Sequence, residues 1–358
     1  MARVAFYAPM KSPNSPTPSG DREMARNLIR ALAAEGDTVD LVSDLRIYDK
    51  IGDKDVQLSL QRVADKEAQR LMTRLPYDTD LWVTYHNYYK APDLLGPQLC
   101  KARGIPYVQL ESTRASSRLN GPWADFAAAA HRACDAADVI FFHTANDLIT
   151  LKRDRFGAQA LIELPPFLPV SELPAATAGD GSMLTVGMMR HGDKLSSYRI
   201  LADALSYLTG DWHLNIAGDG PARTEVEALM TPFGLRVQFL GQLDQKAMQR
   251  IYQQSSLLVW PGVNEAYGMI YLEAQAAGLP VIAQDRPGVR DVLAPTAYPS
   301  VDTGAKGLAG HMQILLEDST LRHTLGDAAR SHIETRHLLP LATERLWATL
   351  RPLLKNAS

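Results

Sequence analysis

Pro261-Gly262-Val263-Asn264-Glu265-Ala266-Tyr267-Gly268-Met269-Ile270-Tyr271-Leu272-Glu273-Ala274-Gln275-Ala276-Ala277-Gly278-Leu279-Pro280-Val281 follows the apolar run Ser256–Trp260. It reads as strand, loop, helix, a Gly-Leu-Pro stop, and a return to strand over Val281–Ala283. Gly268 opens the helix, where a residue without Cβ lets the backbone approach a ligand closely. The first amides, from Gly268 through Met269 to Ile270, lack intrahelical partners. The helix dipole adds to their positive potential, so together they form an anion site. Glu265 lies in the loop before this helix, and Glu273 lies roughly one and a half turns into it. Two carboxylates flanking an anion site suit recognition of hydroxyls, one for a sugar and one for a ribose.

The same alternation runs outward in both directions. Val4–Ala8, Val39–Ser43, Leu81–Tyr85, Tyr107–Leu110 and Val139–His143 read as strands. Gly20–Ala34 reads as a helix stopped by Gly36, with Met24, Leu28 and Leu32 on one face. The run from Leu164 to Gly181 is rich in Pro, Gly and Ala, has no periodicity, and reads as a hinge. Beyond it come Met183–Val186, a helix around Tyr198–Leu208, His213–Ala217 and Arg236–Leu240. Strands alternating with helices argue for parallel, doubly wound sheets. The expected organisation is an N-terminal domain over 1–168, a linker over 169–181, a second domain over 182–338, and a terminal helix over 339–358 packing back on the first domain. Ligands of open α/β sheets bind outside the carboxyl ends of the strands, so two such sheets would face each other across a ligand cleft.

The 358 residues suit about two domains. With 46% hydrophobic and 22% charged residues the chain is an ordinary globular one. A net charge of −3 leaves no electrostatic case for nucleic acid as a partner. Cys100 and Cys134 have no metal-ligand spacing and read as buried, inert thiols. No window approaches ~18–20 apolar residues, and the opening apolar run is too short for a signal peptide, so a cytoplasmic protein is expected.

Glu265 and Glu273, followed by Ala277-Gly278-Leu279-Pro280-Val281, resemble the signature of glycosyltransferase family 4. That resemblance is strongest over about Met183 to Arg290 and implies the GT-B fold: two doubly wound Rossmann-like domains facing across a cleft. It further implies a retaining enzyme that uses a nucleotide diphosphate sugar as co-substrate, with no metal. On this reading Glu265 contacts the donor sugar and Glu273 the nucleotide ribose, with Tyr267, Gly268, Met269 and Ile270 lining the donor. Gly187 ends the first strand of the second half, and Arg190 and Lys194 just beyond it are the cations for the diphosphate. The family more often has an Arg directly after that Gly; here Met188 holds the place, which makes Lys194 the firmer assignment. Gly218, in Gly218-Asp219-Gly220-Pro221, resembles a strand-to-helix turn near the donor. Gln242 and Leu243 fall where backbone contacts to the base are expected. Gly20 takes the place of the family's Gly-rich loop, after a proline-rich stretch from Ser12 to Pro18.

Family members often carry a His near the anomeric centre. Here His86 follows one strand, while Glu111 falls where that His usually sits, and either could act there. Retaining enzymes of this kind have no obvious catalytic carboxylate pair. Front-face substitution is therefore expected, with the leaving phosphate helping to deprotonate the acceptor. Asp78-Thr79-Asp80 spells the metal motif of the other large glycosyltransferase fold but precedes its strand, so it lies at the wrong end of a sheet. Arg62, Lys66, Arg70 and Arg74 recur every four residues and share one helix face, opposite Leu60, Ala64, Leu71 and Leu75. With Arg114, Arg118, Trp123 and Arg132 they suit a peripheral contact with an anionic inner membrane face and a lipid acceptor such as diacylglycerol. UDP-glucose and UDP-glucuronate are the expected donors. The competing readings are polysaccharide or lipopolysaccharide assembly, a nucleotide-sugar epimerase, which would convert donor alone, and a non-catalytic nucleotide-sugar sensor.

Overall fold

The computed structural model describes residues 1–17 and 19–354. Pro18 of the proline-rich stretch and residues 355–358 of the terminal segment lie outside the described residues. The chain divides into two compact units, 1–165 with 339–358, and 166–338.

The first unit runs β1 (Arg3–Tyr7), α1 (Gly20–Ala33), β2 (Thr38–Ser43), α2 (Lys54–Arg74), β3 (Leu81–Asn87), α3 (Gly96–Arg103), β4 (Tyr107–Ser112), α4 (Ala124–Ala136), β5 (Val139–Phe142), α5 (Ala145–Arg153) and β6 (Ala160–Glu163). Its six strands are ordered β2-β1-β3-β4-β5-β6 and pair in parallel throughout. A parallel sheet is covered on both faces, which is why β5, Val-Ile-Phe-Phe, is buried at every position. The half-buried β6 has no counterpart in the sequence reading, and β3 and β4 each run two residues further than expected, through His86 and Glu111. Asp78 and Asp80 are engaged at the amino end of β3: Asp80 accepts the Arg3 amide at 2.8 Å and Asp78 pairs with the Arg3 guanidinium at 3.1 Å.

The second unit runs β7 (Met183–Val186), α6 (Asp193–Leu205), β8 (Leu214–Ala217), α7 (Arg223–Met230), β9 (Val237–Gly241), α8 (Gln245–Gln253), β10 (Leu258–Val259), α9 (Met269–Ala276), β11 (Val281–Ile282), α10 (Gly304–Glu317) and α11 (Ser319–Arg336). Its five strands are ordered β11-β10-β7-β8-β9, again parallel. The segment 169–181 is bound along this unit. Arg330 donates to the Pro174 carbonyl at 2.8 Å and the Ala276 carbonyl at 2.6 Å, and the Thr177 hydroxyl donates to Ser255 at 2.6 Å.

The chain then returns to the first unit as α12 (Leu339–Leu350). Leu346, Trp347 and Leu350 are buried. The Trp347 indole donates to the Leu32 carbonyl and the Thr343 hydroxyl to the Ala31 carbonyl, both at 3.2 Å, so α12 docks on α1. Arg351 lies 3.9 Å from the Trp347 ring centroid and pairs with Asp37 at 2.6 Å.

On α2 the four cations Arg62, Lys66, Arg70 and Arg74 are exposed, with Ala64 and Leu71 buried opposite and Leu75 buried at its cap. Arg70 is tied to Glu67 at 2.7 Å and to the Val42 carbonyl at 3.1 Å. Cys100 and Cys134 are free and buried; burial pushes both thiols up, Cys134 to about 12. No helix among the described residues is long and apolar enough to cross a membrane.

Truncating Trp347 removes a buried aromatic, an indole hydrogen bond and the Arg351 contact together. Trp347→Ala is expected to destabilise the first unit by about 3–5 kcal/mol, measured by urea unfolding against the unchanged transition of the second unit.

Candidate active site

In a doubly wound sheet, ligands gather where the strand order reverses. In the second unit that point lies between β7 and β10, and in the first between β1 and β3. Lys194 and Glu265 meet at the first of these points, and a polar cluster extends from the second across β3 and β4 toward β5.

In the second unit the loop after β10 carries Glu265. Its Oε1 accepts the Trp260 indole N–H at 2.9 Å and pairs with Lys194 of α6. Trp260 is fully buried, stacks edge-on against Tyr198 at 5.0 Å, and lies under the Lys194 ammonium at 5.5 Å. The first turns of α6 hold the loop elsewhere too: Ser197 accepts the Val263 amide at 3.1 Å, and Asp193 accepts from the Asn264 side chain at 3.2 Å. Asn264 is held at φ 54°, a conformation that costs energy without glycine and persists because its surroundings impose it.

Two glycines are demanded by geometry. Gly268 has φ 82° at the start of α9, and a Cβ there would lie 2.8 Å from the Tyr271 ring. A Cβ on Gly218 would lie 1.9 Å from the carbonyl oxygen of Gly187, so the turns leaving β7 and β8 pack backbone to backbone. Tyr198 donates to that same Gly187 carbonyl at 2.8 Å. Met269 and Ile270 form the first turn of α9 and are half-buried beside the buried Tyr267.

Glu273 lies one face away. It accepts from the Tyr252 hydroxyl of α8 at 2.8 Å, and burial pushes its carboxyl up despite that bond. Gln242 and Leu243 follow β9, whose last carbonyl, Gly241, accepts the Gly218 amide at 2.8 Å. Arg190 is exposed, and its side chain has no hydrogen bond or ion pair among the described residues.

The first unit gathers a different set. Gly20 begins α1 behind the Ser19 cap, with nothing within 4 Å of a Cβ built on it. Its neighbour Asp21 lies 3.5 Å from His86, which is 3.9 Å from Glu111, whose other oxygen is 3.8 Å from His143. The expectation placed His86 and Glu111 just past their strands. Instead they sit within them, side by side between the register pairs Tyr85–Leu110 and Asn87–Ser112, at φ 65° and 55°. Strained residues of this kind cluster at ligand sites, and a matched pair on adjacent strands turns both side chains out of the normal pleat. Burial lowers the His86 imidazole, but the charges of Glu111, Asp21 and Asp147 outweigh it and hold the pKa above the ordinary value. Burial raises Asp21, and His86 outweighs that in turn to hold its carboxyl low.

Sequence reasoning missed Trp260, Tyr252, Asp21 and His143. Trp260 carried a signal, as an aromatic with a polar N–H ending a strand at a ligand site. His143 directly follows β5, with its Nδ1 2.7 Å from the Leu164 carbonyl. Its place beside Glu111 comes from sheet pairing and had no signal in the sequence. Among the described residues no group of three or more His, Cys, Asp or Glu is placed to hold a metal ion.

The fold is GT-B, and it is shared along the whole chain. Sucrose-phosphate synthase from Thermosynechococcus elongatus superposes with a TM-score of 0.75 at 18% identity, over 99% of both chains. Anabaena HepE, crystallised in complex with UDP-glucose, gives 0.72 at 15% identity, over 98% of this chain and 100% of that one. The model for glycosyl transferases group 1 matches residues 186–332, most of the second unit. Sulfoquinovosyl transferase SQD2 of Arabidopsis thaliana is 30% identical over 122 residues, 33% of this chain and 24% of that protein. A GDP-mannose-dependent monoacylated alpha-(1-6)-phosphatidylinositol monomannoside mannosyltransferase of Corynebacterium glutamicum is 31% identical over 144 residues, 38% of each. The matched stretch thus spans well under half the length of these two relatives.

The raised pKa of His86 fixes the sign of a pH effect. Stability from the imidazolium is fully present below the ordinary pKa of about 6.5 and is lost as pH rises through the higher folded value. The melting temperature of the wild type should therefore fall relative to that of His86→Gln as pH is raised from about 6 to about 9. A constant difference would show that His86 does not titrate against Asp21 and Glu111.

Proposed function

We propose that this chain is a retaining, metal-independent glycosyltransferase of the family 4 type, moving a hexose from a nucleoside diphosphate sugar to an acceptor. The observation that carries the reading is Glu265, held by the Trp260 indole and Lys194 at the strand-order reversal of the second unit, directly before the amides that open α9. A carboxylate fixed by one buried donor keeps its other oxygen for a sugar hydroxyl. Lys194 and the α9 amides are the groups to stabilise charge on a departing diphosphate. Glu273, braced by Tyr252, takes the ribose hydroxyls.

In the step proposed, the acceptor oxygen bonds to the anomeric carbon on the face from which the diphosphate oxygen leaves. The acceptor proton passes to that leaving phosphate, so no protein carboxylate is used up. Asp21, His86 and Glu111 orient the acceptor. The donor is UDP-glucose or UDP-glucuronate, a choice supported by the likeness to HepE in complex with UDP-glucose. A membrane lipid is the acceptor, supported by the phosphatidylinositol mannoside named for the Corynebacterium relative. The exposed cations Arg62, Lys66 and Arg74 of α2 contact an anionic membrane face.

Thermal-shift titration with UDP-glucose, UDP-glucuronate, UDP-galactose, UDP-N-acetylglucosamine and GDP-mannose, with and without EDTA, tests the donor reading. A true donor at ~100 times its dissociation constant adds about 2.7 kcal/mol of stability. The shift should survive EDTA and be lost in Glu273→Ala, and Lys194→Ala should cut turnover by about 100- to 1000-fold. Failure of every nucleotide sugar, and of free UDP and GDP, to shift the wild type would overturn the assignment. Flotation with anionic liposomes at low salt should carry the protein upward, and recovery in the soluble fraction would remove the membrane contact.

A further inference from the structure

Past His86 the first unit continues into a row of rings. The His86 and Tyr88 centroids are 4.8 Å apart, Tyr88 and Tyr89 5.5 Å, and Tyr89 and Trp123 5.6 Å. Tyr88, Tyr89 and Trp123 are all half-exposed, so the row is a ledge open to solvent rather than a core cluster.

Its outer end is held rigidly. The Trp123 indole donates to the Asp49 carbonyl at 3.3 Å, and the Gln57 amide donates both to the Asp49 carboxylate at 2.7 Å and to the Pro122 carbonyl at 2.9 Å. The Asp49 carboxylate also accepts the backbone amides of Ile51, Gly52 and Asp53, so it is fully used within its own loop. A Cβ on Gly52 would lie 2.4 Å from Pro122, so the two loops press directly together.

Two cations converge on this end. The Lys90 ammonium is 5.6 Å from the Tyr89 centroid and 5.3 Å from that of Trp123; the Arg118 guanidinium is 5.2 Å and 5.4 Å from the same two rings. Neither has an ion pair with a carboxylate among the described residues, and Asp125, two residues past Trp123, pairs with neither. Ring faces attract cations but do not neutralise them. Two like charges gathered on one aromatic pair are therefore matched by an anion of about two charges, which is what a phosphate monoester carries near neutral pH.

We propose that this ledge is an acceptor-side subsite for a phosphate-bearing ligand. The phosphate lies with Lys90 and Arg118, and the ring or polyol that carries it lies along Tyr89 and Tyr88 toward His86. The role as acceptor subsite rests on the glycosyltransferase reading above; the phosphate site itself does not. The same chemistry is presented by a soluble sugar phosphate and by a phospholipid headgroup.

Calorimetric titration of the full chain with glucose 6-phosphate against glucose, and sedimentation with phosphatidylglycerol against phosphatidylcholine vesicles, separate these two sources. The wild type should prefer the anionic member of at least one pair. Lys90→Gln and Arg118→Gln should each weaken that binding by about tenfold, the scale of one charge-assisted hydrogen bond. Lys90→Arg and Arg118→Lys keep the charge and should keep the binding, which distinguishes lost charge from a disturbed fold. A response to glucose 6-phosphate marks a soluble ligand, and a response to the vesicles alone marks a headgroup. The proposal is overturned if the wild type discriminates within neither pair, or if the Gln variants bind as the wild type does. Nucleotide-sugar titrations on the same samples keep the two readings apart. Phosphate binding that depends on Lys90 and Arg118, without any donor binding, would sink the glycosyltransferase reading and leave the phosphate site standing.

Discussion

The hydrogen bond from the Trp260 indole to Glu265 is the contact on which the second unit's site depends. A buried indole N–H left without an acceptor is costly, so Trp260 and Glu265 hold each other in place. Trp260 packs closely on Gly187, where a Cβ would lie 3.0 Å from the indole ring. Tyr198 closes the other side and bonds the Gly187 carbonyl. One aromatic side chain thus couples the end of β7, the first helix after it and the loop after β10, which are the pieces that flank the strand-order reversal. Lys194 in turn neutralises Glu265 there.

The first unit solves a different problem. Its acidic and imidazole groups crowd at the carboxyl ends of β1, β3, β4 and β5, carboxyl and imidazole side chains in alternation. Asp21 and Glu111 flank His86, and His143 lies beyond Glu111. The backbone carries a cost as well, with His86 and Glu111 both at positive φ. Strain on two adjacent strands persists only where the surrounding sheet over-determines it, and β4 is paired on both sides. The cluster is therefore built onto interior strands of its sheet.

Much of this was legible in the chain itself. Alternating apolar runs and amphipathic segments located nearly every strand, because parallel strands buried on both faces must be continuously apolar. The stretch from Glu265 to Val281 declared a helix opening at Gly268, and α9 begins there. The half-buried β6 escaped because Ala160–Glu163 is short and only partly apolar. The binding of 169–181 along the second unit escaped because it depends on Arg330 and Thr177, which reach carbonyls remote in sequence.

The sequence by itself determined the two parallel sheets, the order of elements and the pairing of Glu265 with Glu273 around one helix start, since these follow from local periodicity and spacing, while Lys194 was singled out by the family resemblance. Only the tertiary structure decided which groups meet. It put Trp260 on Glu265 and Tyr252 on Glu273, and brought Asp21, His86, Glu111 and His143 to one place. It also left Lys90 and Arg118 on the same pair of rings with no carboxylate between them. The reason is that side-chain meetings at the ends of parallel strands are set by strand order and register. Those are properties of a whole sheet assembled from distant segments, and no local pattern encodes them.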